Sequence, residues 1–250
     1  MRPYEDKFLI QMINKYNKLL NEEECGLHRI VKTKEEKLSG YLYKEEKHLD
    51  LEIPKLFHGD NLVMELTPKE IQGYFEFIKN AEGKVGIVGL GLGYLVQELA
   101  KKKEVTEIVV YEISSEVIEI YKKNFKNKRK VKILQQDAFK AEKQKFDFFF
   151  VDIYNEQLTE KCAEDYKIFT KIHEIEEYSF WGMEHFLLSC SYEEIIWVFI
   201  PELWMDMTKD LSRVLSESGN LQSYKPLEPQ LVSNVLARFK EILNEGEEDY

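Results

Sequence analysis

The chain has 250 residues, 44% of them hydrophobic and 13% aromatic, which is enough to bury a sizeable core in one large or two small globular domains. Acids outnumber bases 46 to 35, giving a formal charge of −11 that argues against a broad nucleic-acid-binding surface without excluding a local one, so nucleic acid is not the partner expected. No apolar run approaches the roughly 20 residues of a membrane helix, and the opening Met1-Arg2-Pro3-Tyr4-Glu5-Asp6 lacks a basic-then-apolar signal, so a cytoplasmic protein with no membrane partner is expected. Cys25, Cys162 and Cys190 are odd in number and far apart, so reduced thiols are expected rather than a disulfide framework or a metal cluster.

Residues 5–20 carry apolar side chains at 8, 9, 12, 13, 16, 19 and 20, the spacing of a helix with one face packed inward. An acidic turn at 21–24 and Gly26 end it. Short β-like pieces follow at 28–33, 38–43 and 48–53, divided by charged turns and stopped by Pro54. They predict a small N-terminal β subdomain within residues 1–66, either a cover for a site or an oligomer interface. The His58-Gly59-Asp60 turn reads equally as a gate or as an ordinary turn. Thr67-Pro68-Lys69-Glu70 has the pattern of a capping box with proline in the first turn, which predicts a helix over 68–80 broken at Gly83.

The stretch 84–152 organises the rest. An apolar run at 85–88, too short for a helix, leads into Gly89, Leu90, Gly91, Leu92 and Gly93, and an amphipathic segment follows over 94–102. Strand, glycine turn and helix are the implied order. Glycine there permits positive φ and lets a ligand approach the backbone, while the helix start offers unpaired N–H groups to an anionic or polar ligand. A second strand at 105–111 ends at Glu112, about 20 residues beyond the glycines, where nucleotide-binding doubly wound folds place the acid that holds ribose hydroxyls. A helix at 115–125 and a strand at 131–134 lead to Asp137, and a nearly all-apolar strand at 146–151 leads to Asp152. Acids thus recur at the ends of successive strands, where the crevice of an open α/β sheet lies. The fold class expected is α/β, a Rossmann-like doubly wound sheet over residues 67–220 with a nucleotide-like ligand.

Over about residues 62–154 the sequence resembles the class I S-adenosylmethionine-dependent methyltransferases, in particular the branch that includes the spermidine synthases. Gly89-Leu90-Gly91-Leu92-Gly93-Tyr94 stands at that family's glycine loop, Glu112-Ile113 at its ribose acid, Asp137-Ala138 at its adenine-contacting pair and Asp152 at its strand-end acid. The segment 59–70 is similar to the one with which that branch enters its first helix. The resemblance implies S-adenosylmethionine as cofactor: Gly89, Leu90, Gly91 and Gly93 let the backbone approach the amino-acid part, Glu112 and Ile113 meet the ribose, Asp137 and Ala138 the adenine, and Asp152 lies beside the sulfonium or the acceptor. Tyr154 and Asn155 sit where the family places residues facing the transferred group, which makes them catalytic candidates with Asp152. The alternative for them is that Tyr154 packs over the sheet edge and Asn155 caps a helix. Aminopropyl transfer in that branch uses a loop acid and a D-x-x-D-P stretch, but here the loop acid is Leu92, the second acid is Asn155 and the proline is Glu156. Direct methyl transfer to an acceptor the sequence does not identify is therefore the leading expectation, with an aminopropyltransferase or a non-catalytic binding protein as alternatives; the acidic balance favours a small-molecule acceptor.

Beyond residue 157 a helix is expected over 158–175 and a long strand over 178–189 interrupted by Gly182, which would put Glu184 and His185 on opposite faces. Residues 193–215 read as a helix broken before Pro201. Trp197 and Trp204 share a side as a core or dimer seam, which leaves a homodimer open. Pro226 and Pro229 mark a linker, and a last helix at 231–243 precedes the acidic tail, together forming residues 221–250. The strand hairpin that usually closes this fold is either hidden in 191–200 or replaced by helices. The basic run Lys126, Lys128, Arg129, Lys130 and Lys132 reads as a solvated loop after a helix C-terminus, whose dipole favours cations.

Overall fold

The computed structural model describes residues 2–35, 38, 40, 41, 51–126, 128–154, 157–198, 200–219, 221 and 224–244. Helix α1 (Asp6–Leu19) turns Leu9, Met12, Ile13 and Tyr16 inward, as its periodicity requires. It packs on an antiparallel sheet of order β1-β2-β3-β4, formed by β1 (Glu24–Cys25), β2 (His28–Glu35), β3 (Leu51–His58) and β4 (Asn61–Glu65). Three expectations change here. The acidic turn at 21–24 ends in a short strand. Leu38, Gly40 and Tyr41 lie outside any strand, and the rest of the expected 38–43 piece falls outside the described residues. Pro54 does not stop β3, which runs on to His58. The Pro54 carbonyl accepts from Leu66 N–H (3.0 Å), so the edge of Pro54 that lacks a donor faces the end of β4, and no rung with β2 is lost.

The second sheet is parallel, with order β7-β6-β5-β8-β9: β5 (Gly83–Val88), β6 (Val105–Glu112), β7 (Val131–Gln135), β8 (Lys145–Val151) and β9 (Glu174–Phe180). The chain starts at the centre, winds outward through β6 and β7, then crosses back to β8 and β9. Strand order therefore reverses beside β5, and a crevice opens at the carboxyl ends of β5 and β8. Phe146, Phe149, Phe150 and Val151 of β8 are buried, as a strand covered on both faces must be. Helices α4 (Tyr94–Leu99), α5 (Ser115–Asn124) and α6 (Lys161–Ile172) follow β5, β6 and β8 in the chain. α4 stops short of the expected residue 102. α6 ends before 175 because Glu174 already pairs with Lys145 in the sheet.

The helix expected over 68–80 is two: α2 (Pro68–Gly73) and α3 (Phe75–Asn80), parted at Tyr74. The capping box does not form. Thr67 makes no side-chain cap bond, and Glu70 instead accepts from the Trp181 indole at 3.1 Å. Residues 178–189 are also not one strand. β9 ends at Phe180, Gly182 adopts φ 85° and caps α7 (Met183–Ser189), so Glu184 and His185 lie on a helix.

The C-terminal edge is helical among the described residues, with α8 (Tyr192–Trp197), α9 (Glu202–Ser218) and α10 (Pro229–Leu243) in place of a strand hairpin. Trp204 is fully buried against Tyr166, Phe180 and Phe239, and its indole N–H donates to the Tyr178 carbonyl at 2.7 Å. Trp204 is therefore a core residue; the side chain of Trp197 lies outside the described set. Among the described residues no helix is long and apolar enough to cross a membrane.

Glu184 is buried beside Glu76, with no hydrogen-bond partner in ordinary geometry for either carboxyl oxygen. Burial pushes its pKa well above the usual carboxylate range, so the folded protein keeps a proton that the unfolded chain releases. Its contribution to stability is complete below the ordinary glutamate pKa and is lost as pH rises toward the folded value. Glu184→Gln mimics the protonated acid. Denaturant melts should show the variant gaining on the wild type as pH rises above the ordinary glutamate range, by up to about 1.4 kcal/mol per pH unit until the folded value is passed; a pH-independent difference would refute the assignment.

Candidate functional site

A cavity of about 490 Å3 occupies the crevice at the carboxyl ends of the parallel strands, within the range of small-molecule sites. Gly89, Leu90 and Gly91 form one wall, Glu112, Ile113 and Ser114 the next, Asp137 and Ala138 a third, and Asp152 lies at the β8 end. Most residues singled out in the sequence thus meet in one place.

The glycines have separate reasons for being glycine. Gly89 has φ 96°, and a Cβ there would stand 2.3 Å from the Asp152 carbonyl oxygen. The close approach locks the loop onto the end of β8. Gly91 has φ 49°, and a Cβ on it would strike Met64 Sδ at 2.5 Å. Gly93 belongs elsewhere: it caps α4 and abuts the Tyr121 ring, and it does not line the cavity.

Glu112, the last residue of β6, is buried, and its carboxylate accepts Leu90 N–H at 3.0 Å and Ser114 N–H at 2.8 Å. Its two oxygens bridge the glycine loop and the start of α5. Ile113 beside it is 72% exposed, an apolar side chain presented to the cavity. Asp137 caps the short 3-10 helix Ala138–Lys140 through Phe139 N–H (3.1 Å) and pairs with Lys140 (3.2 Å).

Asp152 accepts a hydrogen bond from the Tyr74 hydroxyl. The break between α2 and α3 is what turns this buried phenol toward the end of β8. Burial, then the neighbouring Asp152 charge, raise the Tyr74 pKa well above its ordinary value, so it stays a neutral donor. Glu70 lines the same end of the cavity. Among the described lining residues, Glu70, Glu112, Asp137 and Asp152 are acidic and none is lysine or arginine. Such a cavity favours a positively charged ligand.

Tyr154 departs from expectation. It is buried outside this cavity, near Tyr178, Asp165 and Cys162, so the contact to an acceptor expected of its side chain is not made in this arrangement. Asn155 lies outside the described residues. His185 sits in a second, smaller cavity of about 140 Å3 with Tyr41 and Trp181. Its Nε2 is 2.6 Å from the Lys225 carbonyl and its ring stacks on Tyr41 at 4.5 Å. Burial lowers its pKa to about 4, so it is neutral and structurally held.

Of the two roles expected for the N-terminal sheet, the structure shows it lining the site. His28, Leu56, His58, Val63 and Met64 all line the main cavity, and Met64 Sδ also receives Leu92 N–H at 3.3 Å.

Residues 74–172 match the family model of the methyltransferase small domain. No curated protein matches the sequence significantly. Among solved structures, a spermidine synthase from Thermotoga maritima is similar at 18% identity and TM-score 0.40, over 62% of this chain and 52% of that one, so the chain spans about half its length. A putative RNA methyltransferase from Pyrococcus horikoshii matches at 14% identity and TM-score 0.40, over 67% of this chain and 70% of that one. An S-adenosylmethionine-dependent methyltransferase from Clostridium acetobutylicum matches at 15% identity and TM-score 0.32, over 44% and 46%. These likenesses are partial, and no activity carries across from them.

The loop geometry is directly testable. Gly89→Ala forces both a positive φ on alanine and a clash with the Asp152 carbonyl, so thermal and urea melts should show a loss of about 1–3 kcal/mol or more. A neutral effect would mean that the loop does not dock on β8.

Proposed function

We propose that the protein is an S-adenosylmethionine-dependent methyltransferase that passes the methyl group directly to a small-molecule acceptor. The observation that carries this reading is the convergence of Gly89-Leu90-Gly91, Glu112-Ile113, Asp137-Ala138 and Asp152 on one cavity inside the segment that matches the methyltransferase model. In this reading Glu112 accepts from the ribose hydroxyls, Ile113 packs against the nucleoside, Asp137 and Ala138 meet the adenine, and the glycine loop admits the amino-acid part. Asp152, held by the Tyr74 hydroxyl, faces the sulfonium end. The cofactor supplies an already activated methyl group.

What the chain must supply is position. Bringing a nucleophile in line at near-contact distance provides much of the rate by proximity alone. Tyr74 and the Glu70–Trp181 pair fix the walls where the acceptor would approach, and the acidic lining favours the cationic sulfonium. The acidic balance of the whole chain supports a small acceptor over a polyanion. A cytoplasmic setting accords with the free thiols of Cys25, Cys162 and Cys190. We assign residues 67–220 as the cofactor-binding domain, with 1–66 and 221–250 as additions to it.

One observation favours aminopropyl transfer as a second reading. No lysine or arginine among the described lining residues is placed to pair with the cofactor's carboxylate, which the decarboxylated form lacks.

Calorimetric titration with S-adenosylmethionine and with its decarboxylated form decides between the two. Preference for the intact cofactor supports methyl transfer, and the reverse preference supports aminopropyl transfer. With either ligand, Glu112→Ala should weaken binding by about 1.5–3 kcal/mol, the worth of hydrogen bonds to a charged group. An affinity within twofold of wild type would overturn the ribose assignment.

A further inference from the structure

Cross-strand neighbours in β2 and β3, His28 and His58, form a pair that neither the glycine loop nor the strand-end acids account for. Their rings lie 4.6 Å apart at an interplanar angle of 39°, and both line the main cavity. His28 Nδ1 is 2.5 Å from Glu116 Oε2, and the same oxygen accepts Leu27 N–H at 3.2 Å. Glu116 is in the first turn of α5, adjoining Ser114 and Val117, which line the cavity beside Glu112 and Ile113. The imidazoles therefore stand beside the start of α5, next to the wall formed by Glu112, Ile113 and Ser114.

The arrangement has a built hierarchy. Gly26 adopts φ 56° and approaches the Glu116 carboxylate so closely that a Cβ there would lie 2.0 Å from Oε1, so the β1–β2 turn is seated on α5. The Glu116 carboxylate fixes Nδ1 as the protonated nitrogen of His28, and the His28 ring backs the His58 ring. Glu116 is itself held below the usual carboxylate range, first by its bond to His28 and then by the Leu27 amide. His58 is exposed toward the cavity and has a planar face to offer.

We propose that His58 is a nucleobase-contacting residue of the cofactor site, stacking on the adenine of the bound adenosyl group, and that His28 and Glu116 are its positioning residues. Nothing in the glycine-and-acid pattern of the parallel sheet assigns them. The proposal rests on the adenosyl cofactor proposed above. It makes the N-terminal sheet a working wall of the binding site, and it predicts recognition of the base rather than of the amino-acid part.

The test is calorimetric titration of wild type, His58→Ala, His58→Phe and Glu116→Gln with adenosine, S-adenosylmethionine and methionine, with melts to confirm folding. Stacking on an aromatic ring is lost in the alanine variant, so binding of both adenosine and S-adenosylmethionine should fall about tenfold or more. His58→Phe should restore most of it. Glu116→Gln should fall between, and the ring-nitrogen NMR signals of His28 should show loss of the fixed Nδ1–H tautomer. Wild-type binding of adenosine or S-adenosylmethionine that His58→Ala leaves within twofold would overturn this inference and spare the proposed function. If wild type binds neither adenosine nor either form of the cofactor, both fail together.

Discussion

The Glu112 carboxylate is the fixed point of the site. A buried carboxylate is tolerated only where donors replace water, and Glu112 finds them in Leu90 N–H and Ser114 N–H, one from each side of the crevice. Parallel register places it there: Val88 pairs with Tyr111, Gly89 N–H extends that ladder to the Tyr111 carbonyl at 2.9 Å, and Asp152 N–H reaches the Val88 carbonyl at 2.9 Å on the other side. The strand ends are thus braced by backbone before any side chain contributes. Glu112 then joins the loop above β5 to the helix after β6.

The N-terminal sheet is part of the same body. One hydrophobic cluster runs from Leu9 and Tyr16 of α1 through Ile53 and Leu56 of β3 into Val85, Phe150 and Phe180 of the parallel sheet. Polar ties repeat the union: Tyr16 donates to Glu98 at 2.6 Å, Met64 rests on the glycine loop and His28 grips Glu116. An addition attached in this way transmits its own stability to the site. Loosening β4 would withdraw Met64 from Gly91 and widen the loop that the parallel strands hold from below.

The parallel core was legible because two constraints coincided there. Short all-apolar strands and glycine turns mark buried parallel sheets, and acids at strand ends mark the crevice, so Glu112, Asp137 and Asp152 were placed correctly in the fold from spacing alone. The failures came where tertiary partners override local signals. Glu70 has the position of a capping residue, but the Trp181 indole, 111 residues away, takes its carboxylate. Residues 178–189 read as one apolar strand because a buried helix and a buried strand share that composition, and only the left-handed Gly182 separates them. Gly93 looked like the loop's third ligand-facing glycine, yet it is needed for the Tyr121 ring. Histidines 28 and 58 lie 30 residues apart in the chain, and nothing short of strand pairing brings them together.

The parallel sheet ends at β9, and an unpaired outer strand is an open template for further backbone pairing. Here the Trp204 indole donates to the Tyr178 carbonyl on that strand, and α9 carries the ring there. A side chain occupies one rung of the ladder without offering a next one. The helical C-terminal edge therefore acts as a local terminator: at Tyr178 it occupies an outward-facing carbonyl of β9 that a further strand would need.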